Sequence, residues 1–498
     1  MKNKLAKNTI SSLIYQVCSV ITGFILPRLI LENYGSNVNG IVASVSQFLS
    51  VITFLELGVG AVVQSSLYKP LVEKDNVLIS KIAVSANKFF RRIGEILLFY
   101  VLVLLFAFPH LVKSEFSPLY TATLIASISI SSFAQYFFGV FDRLLLTADQ
   151  KGYIQFNTQT LTLVANTVAC FVLIKLGSSI QVVKLTTSLI FLIRPIFLRI
   201  YVNKHYPIDR KIKYVEEPVK QKWNGVSQHI AAMVLDHTDT IVLTLFSTLA
   251  TVSVYSVYHT VVYGVKCLFL AMTNGIQAFL GELWAKGNKD EIKKAFEWTE
   301  WVFHNSVILI FGCTAVLILP FVKIYTNKIT DTNYIQPLFA YLIVAAHASH
   351  CLRIPYNLII RAAGKYKETQ WNYIVSALLN IVVSIATVKL WGLIGVAIGT
   401  LVAMLYQTVW MAFYNARNLI DVNVKSFLKL IFVDISILAV GICATVFIPM
   451  IGTGYLAWTL LAVEVFCVWL FVTTVVNTLL YRDKCKILLE YLKVKLRK

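Results

Sequence analysis

The chain has 498 residues, of which 57% are hydrophobic and 14% charged, with a mean hydropathy of +0.71 and a formal net charge of +20. This balance excludes an ordinary soluble domain. The positive excess does not mark a nucleic-acid binder either, because it is spread over many loops, where it orients helices and meets anionic lipid.

A bilayer crossing takes about 20 mostly apolar residues. About fourteen runs supply one, at 10–31, 38–68, 93–112, 117–141, 153–174, 178–201, 223–246, 251–281, 297–322, 334–360, 369–390, 392–416, 426–450 and 454–480. Lipid offers no hydrogen bonds to a backbone, so such runs are expected to be helices and the fold class is an all-α polytopic membrane protein. The first run follows Lys2, Lys4 and Lys7, as in a signal peptide. It continues through Pro27 and Arg28 without a small-residue cleavage site, which predicts an uncleaved first helix. The eight cysteines show no C-x-x-C spacing and imply neither a zinc site nor a disulfide framework.

The loops alternate in charge. One side holds Lys2 to Lys7, Lys69 to Arg92, Arg143 and Lys151, Arg199 to Lys222, Lys286 to Lys294, Arg361 to Lys367, Arg417 to Lys429 and Arg482 to Lys498, together 35 of the 45 basic residues. Opposite loops hold only Lys113, Lys175, Lys323, Lys328 and Lys389. By the positive-inside rule both termini are expected in the cytoplasm.

The longest polar stretch, 203–222, falls after the sixth run, where a linker between two six-helix bundles would stand. The two sides match at a constant offset of 214 residues: Val38 with Val252, Tyr120 with Tyr334, Leu144 with Leu358, Ala148 with Ala362, Ile180 with Ile394. An even number of helices per half makes the repeats parallel. The expected plan is an N-terminal lobe 1–202, a cytoplasmic linker 203–222, a C-terminal lobe 223–417, two further helices within 418–481, and a basic amphipathic tail 482–498 on the cytoplasmic surface. Parallel six-helix halves around a central cavity are a transporter design. No nucleotide-binding phosphate loop is present to make the chain an ATPase.

Several stretches carry a resemblance: KNTISSLIYQVCSVITGFILPRLIL, then YGSNVNGIVASVSQFLSVITFLELGVGAVVQSSLYKPLVEKDN, and later LDHTDTIVL, VYSVYHTVVYGVKCLF and RAAGKYKETQWNYI. Over essentially its whole length the chain resembles the bacterial oligosaccharide flippases of polysaccharide biosynthesis, in the multidrug/oligosaccharidyl-lipid/polysaccharide exporter superfamily. The resemblance implies export, across the bacterial cytoplasmic (inner) membrane, of a sugar chain borne on a polyprenyl diphosphate lipid. It also implies a cavity between two six-helix lobes, and polysaccharide polymerase and glycosyltransferases as partners. No cofactor is implied, and the coupling ion, Na+ or H+, stays open.

Charged residues inside the runs are the candidate site. A charge at the bilayer centre costs about 3 kcal/mol on insertion scales, so it usually faces a wet cavity or a partner. Lys266 sits in the middle of its run, and Arg353 lies between His350 and Pro355. Both are expected to bind substrate phosphate, with His350, Arg28 and Arg194 as further candidates; Arg28 and Arg194 are near enough to span ends to snorkel instead. Asp236 and Asp239, one helical turn apart, read first as a structural ion pair with a neighbouring helix and second as a proton or cation coupling site, with Glu56 as another such acid. Asp142 is expected to pair locally with Arg143. His347 and His350 lack a third ligand at metal spacing, so no metal site is expected.

Two other functions compete. A multidrug or cation antiporter of the same superfamily would favour an acidic lining, and the first run from Asn8 to Leu31 has no acid. A membrane-embedded sugar polymerase or transferase would need catalytic carboxylates on an outer loop or cavity, and the outer loops are short, the first reading ENYGSN. The topology has a direct check: a cysteine placed at Lys213 should be labelled from the cytoplasmic face only, and labelling from outside would refute the assignment.

Overall fold

The computed structural model describes residues 2–51, 54–112, 115–219, 226–420, 424–487 and 490. Among these, every regular element is helical. In the first part of the chain run α1 (Lys2–Ser50), α2 (Phe54–Glu73), α3 (Asn76–Leu111), α4 (Pro118–Ala134), a π-helical turn (Gln135–Gly139), α5 (Val140–Ala148), α6 (Gly152–Lys175) and α7 (Ile180–His205). There follow α8 (Val226–Phe246), α9 (Leu249–Lys286), α10 (Lys289–Tyr325), α11 (Pro337–Leu352), α12 (Ile354–Ala362), α13 (Tyr366–Trp391), α14 (Leu393–Asn418), α15 (Val424–Thr445) and α16 (Tyr455–Leu480).

Helix starts follow local capping chemistry. Asp75, Ser117, Ser179 and Asn288 each accept a hydrogen bond from the backbone N–H three residues on, and Pro118 opens α4 where its missing N–H costs nothing. Asn8 closes the start of α6 from a distance, accepting from Tyr153 N at 2.7 Å and donating to Gln150 O at 2.9 Å. Gly35 has φ 83°, in the left-handed region open mainly to glycine, and there α1 is two helices joined end to end.

Among the described residues eleven helices are long and apolar enough to cross a membrane, or twelve when α4 and α5, bent by 54°, form one broken span. The kinked α1 contains two of the runs read from the sequence, and α8 is one more, so the count is compatible with fourteen. The chain is a multi-pass membrane protein.

The helix boundaries repeat with the sequence. Shifting α5 (Val140–Ala148) by 214 residues gives the bounds of α12 (Ile354–Ala362), and the start of α6 at Gly152 falls on the start of α13 at Tyr366. At matching places the fourth span of the first half bends by 54° around the π turn, and that of the second half, Pro337–Ala362, runs on as one span through the junction of α11 and α12 at Arg353.

By internal packing the chain divides into Met1–Ser256 and Val257–Lys498, a division that falls inside α9. In the first unit, Ile41, Leu67, Phe90, Phe108 and Phe141 form the fully buried centre, and Phe48 meets Phe108 edge to face at 5.3 Å. Asp142 does not pair with Arg143 as expected. Its two oxygens take Arg199 at 3.3 Å and Arg210 at 2.9 Å, because a fully buried carboxylate needs both lone-pair directions answered and the polar stretch folds back to supply the second guanidinium. Tyr206 donates to Asp149 at 2.5 Å, and Asp209 N donates to Ser80 at 3.0 Å. Residues 203–219 are thus tied to the first unit; 220–222 lie outside the described residues.

In the second unit α15 and α16 pack on α10 around one residue. The Trp469 ring, fully buried, lies against Gly312 of α10 and Gly441 of α15, where a methyl group on Gly441 would come within 2.8 Å of the indole. Of the tail, 482–487 are helical, and Lys484 folds back to donate to Glu297 O at 3.0 Å beside the Trp298 and Trp301 rings. Burial pulls the Lys484 ammonium below its ordinary range. Residues 488–489 and 491–498 lie outside the described residues, so the amphipathic tail remains an expectation.

Because the indole cannot recede without losing its slot, Gly312→Ala and Gly441→Ala should each lower stability by about 1–3 kcal/mol. Thermal unfolding of the detergent-solubilised protein measures this; unchanged midpoints for both would show that the slot is loose.

Candidate functional site

The second unit gathers most of the predicted cations. On α9, His259, Tyr263 and Lys266 follow at four- and three-residue steps and so share one helix face. Lys266 is 3% exposed, with its ammonium 5.8 Å from the centre of the Tyr263 ring. His259 stacks on Tyr263 and meets His347 of α11 edge to face, both at 5.6 Å. The imidazoles therefore link the face of α9 to α11.

Arg353 stands at the junction of α11 and α12 and is 5% exposed. Its guanidinium donates to Gln407 Oε1 and approaches Met404 Sδ at 3.6 Å, both on α14, and donates to His350 Nδ1 at 2.8 Å. Arginine can only donate, so His350 accepts at Nδ1 and carries its proton on Nε2. Lys266, Arg353, His347 and Arg361 all act electrostatically on His350. Lys266, His350 and Arg353, nominated separately from the sequence, thus belong to one cluster.

An amide oxygen, a thioether and an imidazole thus fix the orientation of the Arg353 guanidinium. Gln407 is fully buried, and its Nε2 has no hydrogen-bond partner among the described residues; the same holds for both side-chain polar atoms of Asn372 on α13. Buried amides left unsatisfied by protein call for water or ligand atoms. Among the described residues no group of three or more His, Cys, Asp and Glu could hold a metal ion.

The other predicted residues lie in the first unit. Arg28 is compensated on its own helix by Glu32 at 2.9 Å. Arg194 of α7 donates through Nε to Thr162 Oγ1 at 2.6 Å and through Nη2 to Gln159 O at 3.5 Å, and lies 3.8 Å from the centre of the Phe191 ring. Asp239, 3% exposed, accepts from Tyr255 at 3.0 Å, whereas Asp236 one turn earlier is exposed. Between them His237 hydrogen-bonds Gln47, with Ser50 at 3.4 Å. The side chain of Glu56 lies outside the described ones.

Sequence reasoning missed His259, Tyr263 and Gln407. The spacing of His259 and Tyr263 ahead of Lys266 was a usable signal; Gln407 gave none, since one amide in an apolar run is indistinguishable from a packing residue. It also missed a second buried set, in which His304 of α10 bonds Asp434 of α15 at 2.7 Å and Tyr356 of α12 at 3.2 Å, while Tyr356 donates to Glu300 at 2.7 Å.

No family model matches the chain, and no curated protein sequence matches it. Solved structures do. The lipid II flippase MurJ in an inward closed conformation aligns with a TM-score of 0.68 at 14% identity, over 96% of this chain and 99% of that one. An inward-facing multidrug resistance MATE family transporter of the MOP superfamily gives 0.63 at 13% identity, over 82% and 97%. A MOP superfamily transporter from Pyrococcus furiosus with a binding pocket of reverse polarity gives 0.60 at 13%, over 83% and 95%. At such identities the likeness is one of architecture: the chain has the fold shared by the MurJ flippase and the MATE transporters.

Proposed function

We propose that the protein is a flippase, moving a polyprenyl-diphosphate-linked oligosaccharide across the cytoplasmic membrane by alternating access. The observation that carries this reading is the cluster in which two buried cations, Lys266 and Arg353, both act on the half-buried His350. A diphosphate cannot enter a low-dielectric region without counter-charges, and ammonium and guanidinium groups bind phosphate oxygens strongly. One fold neighbour is a lipid II flippase, which favours a lipid-borne cargo.

In this mechanism Lys266 and Arg353 take the diphosphate and the Nε2–H of His350 donates to it. Glycosyltransferases would build the cargo and a polysaccharide polymerase would consume it, with both termini in the cytoplasm.

The second reading is a multidrug or cation antiporter, favoured by the MATE neighbours and by the buried Asp239, which could hold a cation or a proton. Its weakness is chemical: a cationic drug is repelled by Lys266 and Arg353.

Lys266→Gln and Arg353→Gln should each reduce export about tenfold or more, the loss expected for one charge-assisted contact in a dry site. Lys266→Arg should retain part of the activity. Arg353→Lys should fail, because one ammonium cannot span Gln407, His350 and a phosphate together. Surface polysaccharide in a flippase-deficient host, at matched membrane levels of the variants, is the readout; full restoration by both Gln variants would sink the mechanism.

A further inference from the structure

The first unit contains a polar cavity of about 110 Å³ that the proposed function does not require. Ser131, Gln135, Arg143, Gln155, Gln159 and Arg194 line it, with Phe191 and Pro195 as apolar walls and no acid among the lining residues. None of the contacts of Arg194 with Thr162, Gln159 and Phe191 uses Nη1. The Arg194 guanidinium, held by a hydroxyl, a carbonyl and a ring and facing a space lined by hydroxyls and amides inside a span where a charge is costly, is an arrangement for an anion.

The fold shows how this space arises. The π turn Gln135–Gly139 forms part of the wall, and Gly139 lets Pro195 approach so closely that a Cβ there would sit 2.7 Å from it. Single π turns recur at functional sites, where they turn side chains out of helical register.

At the repeat offset, Gly139 corresponds to Arg353, Gln135 to Ser349 and Arg194 to Thr408. In the second unit Arg353 leaves the junction of α11 and α12 and bonds α14, while Ser349 and Thr408 close together at 3.1 Å. In the first unit that position is glycine, and α7 supplies the guanidinium instead. Each unit therefore places a guanidinium between its fourth span and its last repeat helix, from opposite walls.

We propose that this cavity is a second anion site, which seats one phosphoryl group of a lipid headgroup arriving from the cytoplasmic leaflet. The lining sets the ligand: guanidinium, hydroxyl and amide groups converge on a space large enough for a phosphoryl group. Position sets the source. Arg143 and Gln155 flank the turn at Asp149–Lys151, on the side that the charge pattern assigns to the cytoplasm, and Gln155 and Gln159 lie ~5–10 Å along α6 from its start. A headgroup at the leaflet boundary reaches that depth. The site rests on the flippase reading only for the identity of its natural ligand, the cargo diphosphate.

The test uses the full chain in nanodiscs and native mass spectrometry with three probes: undecaprenyl diphosphate, phosphatidylglycerol and inorganic phosphate. Arg194→Gln should weaken binding of undecaprenyl diphosphate about tenfold, Arg194→Lys less, and Ser131→Val, which keeps every charge, measurably. Lys266→Gln should leave this binding component in place. Competition by phosphatidylglycerol would uphold the site and make a membrane phospholipid its occupant, and binding of inorganic phosphate alone would uphold it as a free-phosphate site. Wild-type binding of every probe by both Arg194→Gln and Ser131→Val, each eluting as folded protein, would overturn it. A signal lost with Lys266 and unaffected by Arg194 would also overturn it and leave the proposed function standing, whereas failure of Lys266→Gln to impair export would leave this site untouched.

Discussion

A helix interrupted inside hydrocarbon can free backbone groups that lipid cannot satisfy, and the fourth span of this chain's first half bends by 54° at its π turn, at the position where the second half places Arg353 between α11 and α12. Such an interruption survives only where protein or a polar cavity surrounds it. In the first unit the surroundings are the Ser and Gln side chains of the cavity; in the second they are Arg353 and the polar groups of α14. Both anion-binding proposals stand beside these positions. A discontinuous helix in a transporter fold is where substrate chemistry is usually placed, because continuous helices have no polar backbone to spare.

Buried charges are handled in two ways, and the contrast separates scaffold from site. Asp142 is clamped by two guanidiniums, Arg28 is matched by Glu32 one turn away, and His304 lies between Asp434 and Tyr356, with Glu300 beyond. These sets neutralise themselves and hold elements together: a linker to the first unit, α15 to α10 and α12. Arg194 is instead held by a hydroxyl, a carbonyl and a ring, which orient a cation without discharging it. A cation kept charged by neutral neighbours can still attract an anion, whereas one committed to a carboxylate must first give that partner up.

The two C-terminal helices extend the second unit by shape rather than charge. Glycines at 312 and 441 let the Trp469 ring replace side-chain volume on two neighbouring helices, and Trp301 donates to Asn477 at 2.9 Å nearby. Small residues facing one large aromatic give close packing where no hydrophobic effect drives helices together in lipid. Lys484, folded onto the Trp298 and Trp301 rings, fastens the end of the last helix to the start of α10.

The linear pattern of residues was enough for the all-α membrane class, the approximate spans, the alternation of basic loops and the 214-residue repeat, whose helix boundaries the structure reproduces. Each of these depends on residues near one another in sequence, on runs of apolar side chains or on charges at their ends. The same logic found Lys266, Arg353 and His350 one by one, because an ionisable residue in an apolar run is conspicuous. Only the tertiary structure joined those three into one cluster through His259, Tyr263 and Gln407. It also moved Asp142 from Arg143 to Arg199 and Arg210, and put Arg143 and Arg194 around one cavity. The pairing of side chains across helices depends on helix rotation and on where a span bends, and residue order encodes neither.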